Sequence, residues 1–227
     1  MSHHLKFLEF KRGVHQNTSK LSNWYLFLVP TLRSLLDSPD QSVRLKAALV
    51  AGTYPETEFI EVLIEQCAIE SDFFVRDTLS WALMRNDVSK VVKRLETELQ
   101  STNLQAKSQA IHTLSKIGDK KNYSLITDEM LFDSDDFMAS TAWRVASVLV
   151  PDDQRPNLVK KLITQLGRGD SDTQFGLTRF LCALGEHIVQ PLNEAAKSSD
   201  EAISNQAKFT LLRFREMQLE SAKPTIN

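Results

Sequence analysis

An Asp or Asn recurs in this chain about every thirty-two residues, each time opening the same short pattern, and no other feature limits the possible folds so tightly. Aligned on that residue, Asp40-Gln-Ser-Val43-Arg44, Asp72-Phe-Phe-Val75-Arg76, Asn103-Leu-Gln-Ala106-Lys107, Asp135-Asp-Phe-Met138-Ala139, Asp170-Ser-Asp-Thr173-Gln174 and Asp200-Glu-Ala-Ile203-Ser204 share one register, at spacings of 32, 31, 32, 35 and 30 residues. Seven residues on stand Ala47, Leu79, Ala110, Ala142, Leu177 and Ala207, and eleven on stand Ala51, Leu83, Leu114, Ala146, Leu181 and Leu211. Both columns are wholly apolar. Offsets 3, 7, 11 and 14 fall on one stripe of a 3.6-residue helix, so each block is predicted to open with an amphipathic helix of about four turns. The leading Asp or Asn sits where an N-cap belongs.

Second periodic segments lie between these helices, at 59–70, 88–99, 123–132, 157–166 and 189–196, each preceded by turn or cap chemistry such as Tyr54-Pro55, Asn86-Asp87, Gly118-Asp119 or Pro151-Asp152. Two helices and two short turns per repeat cannot bury an apolar face alone, and stacking of neighbours must supply the core. Composition agrees: 7 Gly and 7 Pro in 227 residues are too few for a turn-rich all-β fold or a Gly-loop α/β fold. No stretch rich in Pro, Gly or Ser divides the chain, which predicts one all-α right-handed α-α superhelix over 1–227. Within it, 1–38 form an N-terminal cap with helices at 5–14 and 23–37, the second kinked near Pro30. Residues 40–215 form about six repeats, and 216–227 form a loose tail.

Asp-x-x-Val-Arg-x-x-Ala at this period resembles the HEAT repeat, in particular the short form of phycobilin-lyase-like HEAT proteins. The resemblance spans 40–215 and is strongest in the first two blocks; the Arg position becomes Ala139, Gln174 and Ser204 in the last three. It implies an armadillo-like α-solenoid whose second helices line a concave face, and a role in binding, but no reaction. Arg44, Arg76 and Lys107, at offset 4, are expected to form a structural ladder between repeats with the column of cap Asp residues.

At about 100° per residue, the side opposite the core stripe carries offsets 2, 5, 9, 12 and 16. Offset 9 reads Leu49, Trp81, His112, Arg144, Arg179, Phe209; offsets 5 and 12, with Asp77, Ser108, Ser140, Phe175 and Met84, Ser115, Ser147, Cys182 among them, are small in the middle repeats. A bulky central row between small neighbours leaves room for a ligand. Asp77 lies one turn before Trp81, and Arg85 and Lys116 border the groove, so Asp77, Trp81, Arg85, His112, Lys116, Arg144 and Arg179 are the candidate binding residues. Arg144 and Arg179 carry most of that expectation, because exposed Arg recognises carboxylate or phosphate in a bidentate fashion. Trp143, one position earlier in its block, is expected on the rim.

Two functions follow from this row. The first is a non-enzymatic binding or scaffold module that holds a protein or peptide partner through acidic or phosphorylated groups. The second rests on a further resemblance, to bacterial alkylpurine DNA glycosylases built from HEAT-like repeats, in Phe73-Phe74-Val75 followed by Trp81 and in Asp77, Trp81, Trp143 and Arg144; it implies a groove that holds DNA. Charge opposes that alternative: 27 Lys and Arg against 29 Asp and Glu leave a net −2, where DNA affinity draws on excess positive charge. The first 36 residues alone are basic, with five cations against Glu9.

Nucleotide-binding, dinucleotide, Ser-hydrolase and zinc-protease motifs are absent, so the common enzyme classes have no sequence support and no cofactor is expected. His3, His4, His15, His112 and His187 lack metal-ligand spacing beyond the adjacent pair, and Cys67 and Cys182 stand 115 residues apart, which predicts neither a zinc site nor a disulfide framework. The start MSHHLKFLEFKRG has no apolar signal region, and 24–30 is too short to cross a bilayer. A cytoplasmic protein without membrane contact is the expectation.

Overall fold

A computed structural model describes residues 21–221, apart from the side chains of 21–27; the predicted 5–14 helix, His3 and His4 lie outside those residues. Every regular element described is a helix. The chain divides into two compact units, one ending at Thr97 and one beginning at Glu98. The first holds α1 (Leu21–Leu36), α2 (Gln41–Thr53), α3 (Phe59–Cys67), α4 (Phe73–Met84) and α5 (Val88–Glu98). The second holds α6 (Leu104–Ile117), α7 (Asp128–Leu131), α8 (Asp136–Leu149), α9 (Arg155–Ile163), α10 (Ser171–Cys182), α11 (Val189–Ala195) and α12 (Glu201–Ser221). This is an all-α fold of helical repeats.

The predicted caps form. Asp40 accepts a hydrogen bond from the Ser42 amide, Asp72 from Val75, Asn103 from Gln105 and Ala106, Asp135 from Met138, Asp170 from Thr173, and Asp200 from Ala202 and Ile203. Each satisfies an amide that the helix itself leaves unpaired, for about 1 kcal/mol. Both predicted apolar columns are buried, no member being more than 7% exposed. In α1, Leu28, Leu32 and Leu36 form a buried stripe at four-residue spacing even though Pro30 lies inside the helix.

Within each unit the cap-started helices pack against one another in order, α2 on α4, and α6 on α8 on α10 on α12, while the intervening helices form a second layer. The contacts carry the repeat period. Arg94 pairs with Glu61 at 2.6 Å, Lys161 with Asp128 at 2.5 Å and Arg168 with Asp136 at 2.7 Å, each across 32 or 33 residues of sequence. Equivalent positions of successive repeats are thus spatial neighbours, as stacking requires.

The offset-4 ladder differs from expectation. Arg44 makes its hydrogen bonds elsewhere than to the cap Asp column, although the charges of Asp72 and Asp40 act on it: it forms a bidentate pair with Glu70 at 2.7 and 2.9 Å and donates to the Ser38 and Pro39 carbonyls. Arg76 likewise donates to the carbonyls of Glu70 and Ser71. The cap carboxylates are already committed to helix amides, so the Arg side chains turn to the loop carbonyls just before the cap. Where the position is Ala139, Arg168, in the loop just before the next cap Asp170, supplies the missing donor to the Asp133 carbonyl.

Two segments depart from their predicted shape. The 123–132 helix is broken into a 3-10 turn, Lys120–Leu125, and the four-residue α7, because Asp119 caps the turn and Ile126 adopts an extended backbone. At the other end, α12 runs to Ser221, so 216–221 are helical and not a loose tail; 222–227 lie outside the described residues. Among the described residues no helix is long and apolar enough to cross a membrane.

Candidate binding groove

The candidate residues are distributed over both units. Asp77 and Trp81 on α4 and its C-cap residue Arg85 stand at four-residue steps in the first unit, with Asp77 and Arg85 exposed and Trp81 half-buried. The Trp81 indole lies on Gly52 of α2: a Cβ built at Gly52 would stand 2.1 Å from the ring. Trp81 therefore packs against the preceding repeat as well as facing outward. Gly52→Ala is expected to push the indole off its seat and cost about 1–3 kcal/mol by overpacking, less the small gain of Ala over Gly inside a helix. Urea unfolding gives the cost, and a red shift in Trp fluorescence reports the displaced ring.

His112, Lys116, Arg144 and Arg179 belong to the second unit, where His112 and Lys116 lie one turn apart on α6. Arg144, on α8, is half-buried, and its Nη1 lies 3.3 Å from Nδ1 of His112, its equivalent one repeat earlier. Since a guanidinium only donates, the contact is a hydrogen bond in the tautomer whose Nδ1 accepts. Burial, and after it the neighbouring Arg179 cation, press the Arg144 guanidinium below its usual pKa, and no carboxylate contributes. Arg179, on α10, is exposed, its guanidinium carbon 5.3 Å from the centre of the Phe180 ring. Neither Arg144 nor Arg179 forms a salt bridge among the described residues.

Arg144 and Arg179 line one open cavity of about 520 Å³ between α8 and α10, with Ser140 and Gly176 providing its small floor and Phe137 an exposed edge. Three carboxylates share the lining. Asp136 is neutralised by Arg168 at 2.7 Å, and Asp170 is held by the Thr173 amide and hydroxyl, which lower its pKa. Asp172 is exposed in the first turn of α10.

The row through offset 9 slips at its end. Counting from the cap places Phe209 beside Arg179, but its ring instead meets Phe175, with centroids 5.4 Å apart at 80°. The cause is spacing: stacked positions here are 32 residues apart, as Gln174 with Gln206 and Thr178 with Thr210 show, whereas the caps Asp170 and Asp200 are separated by only 30. Trp143 is corrected outright. It is fully buried, and its indole N–H donates to the Leu131 carbonyl at 2.7 Å, so it is a core residue and not part of any rim. One of the residues carrying the glycosylase resemblance is therefore structural. Phe137 stands at offset 2 on the outward side of its helix, and the sequence signal for it was its size among smaller neighbours.

No protein-family model and no curated protein matches the sequence. Among solved structures, the chain is similar to an engineered protein at TM-score 0.45 and 18% identity, covering 83% of this chain and 96% of that one. It is also similar to a designed armadillo repeat protein at TM-score 0.41 and 15% identity, covering 82% of this chain and 99% of that one. The repeat architecture described above stands on the caps, the buried columns and the contacts one repeat apart.

Proposed function

We propose that the protein is a non-enzymatic binding or scaffold module whose second unit receives an anionic group of a protein or peptide partner at Arg144 and Arg179. The observation that carries this reading is the half-buried Arg144, which lacks a carboxylate partner and faces a second cation across the same cavity. Holding two like charges together in partly desolvated surroundings costs free energy, and an incoming anion relieves that cost. Helical repeats offer extended surfaces of this type for binding. Lys116 belongs to the same proposal as a flanking contact and His112 as the residue that orients Arg144, while Asp77, Trp81 and Arg85 are proposed as binding residues of the first unit taken by itself.

The test is a pull-down from nuclease-treated native lysate with wild type and the Arg144→Ala/Arg179→Ala variant. A partner retained by wild type and lost by the variant, with the two proteins differing by no more than about 1 kcal/mol in stability as befits substitutions outside the core, is the expected result. Equal retention by both overturns the reading.

A further inference from the structure

The second unit exposes more apolar surface next to the two arginines than a solvated face needs. Phe175 precedes Arg179 by one turn of α10 and is 59% exposed; Phe209 and Leu212 follow on α12 at 37% and 54%. The Phe175 and Phe209 rings meet edge to face, and residues three or four apart share one side of a helix. From α8 through α10 to α12 the surface thus passes from two cations without carboxylate partners to a contiguous aromatic and aliphatic patch. Scattered single apolar side chains call for no explanation, but a patch built by successive helices beside two arginines that form no salt bridge does.

The charge around the cavity identifies the anion. Asp170 and Asp172 share the lining with the two arginines, while Arg168 cancels Asp136. A phosphate dianion would bring two charges toward these carboxylates, whereas a carboxylate brings one, which Arg144 or Arg179 can take in bidentate fashion. Building on the function proposed above, we infer that the occupant is an acidic peptide segment. One of its Asp or Glu side chains pairs with Arg144 and Arg179, and a bulky apolar side chain about two residues away packs on Phe175, Phe209 and Leu212. That separation follows because one helical turn, about 5.4 Å, matches roughly two residues of extended chain.

The experiment uses the full chain and four short fluorescein-labelled peptides in polarisation titrations: one with Glu and Phe at this spacing, one with Phe replaced by Ala, one with Glu replaced by Gln, and one with Glu replaced by phosphoserine. The Glu and Phe peptide is expected to bind tightest, with each single replacement, phosphoserine included, weakening it at least about fivefold. Phe175→Ser/Leu212→Ser should erase the preference for Phe, and Arg144→Ala/Arg179→Ala the preference for Glu. All four positions lie outside the core, and thermal melts confirm that the variants fold.

Equal binding of the Phe and Ala peptides overturns this inference and leaves the anion-binding function standing. Binding indifferent to Glu overturns both. Tightest binding of the phosphopeptide overturns the choice of carboxylate alone. If no peptide binds, and the wild type but not Phe175→Ser/Leu212→Ser self-associates in sedimentation, the patch is an interface with a second copy and the inference fails. An absence of both binding and self-association also overturns it.

Discussion

Trp143→Ala is expected to destabilise the second unit by about 3–5 kcal/mol, the usual cost of emptying a buried Trp site, and to lower its melting temperature by on the order of 10 °C. The indole is fully buried and fills the space facing α7, the one intervening helix reduced to four residues. It also completes two polar arrangements. Its N–H takes the Leu131 carbonyl at the end of α7, and its ring lies 5.6 Å beneath the Arg168 guanidinium that pairs with Asp136. Trp143→Phe separates these contributions: it keeps most of the volume but orphans the Leu131 carbonyl, for an expected loss of about 1–3 kcal/mol. Thermal and urea unfolding followed by circular dichroism measure both. A Trp143→Ala variant as stable as wild type would contradict the core assignment and return the residue to the surface.

Arg44→Ala should cost about 3 kcal/mol, because it strands a carboxylate that is only 2% exposed. Burial pushes the Glu70 carboxyl pKa up, but the Arg44 hydrogen bonds, the Asp72 amide, the Gln66 side chain and the Arg44 charge outweigh it and hold the pKa below its ordinary 4.5. The folded value is thus lower than the unfolded one. The stabilisation is then complete above the unfolded pKa of about 4.3 and is lost as pH falls through the folded value. Arg44→Ala removes the bidentate pair and its charge while burial stays, so the deficit relative to wild type should be largest at neutral pH and shrink in acid, where Glu70 protonates. Urea melts at a series of pH values test the sign. The Arg44→Ala/Glu70→Gln pair should lose less than the sum of the single variants, since both remove one shared interaction.

How much of this was legible beforehand varies from residue to residue. The six caps and the twelve positions of the two apolar columns could be read directly, because capping and helical burial depend on residues a few positions apart in the chain. The Arg44 ladder was half legible: its position announced a structural role, but Glu70 lies 26 residues away in the loop before α4, and no local pattern points to it. Arg144 beside His112 followed from the repeat, since equivalent positions of stacked repeats become neighbours. Phe209 beside Phe175 did not follow, because the cap spacing of 30 residues had to give way to the spacing that packs the helices.

By itself the sequence determined the all-α class, the starts of the six capped helices and their core stripe. These are short-range consequences of backbone hydrogen bonding and of a 3.6-residue period acting on side-chain polarity. Tertiary structure alone decided that 123–132 breaks into a turn and a four-residue helix, that Trp143 goes inward to fill the space this leaves, that Arg168 substitutes for the missing donor at Ala139, and that Arg144 and Arg179 share a cavity without forming a salt bridge to the carboxylates that line it. Each of those outcomes depends on which volumes and charges meet between helices, and such meetings are settled by close packing across the repeat and not by neighbours in the chain.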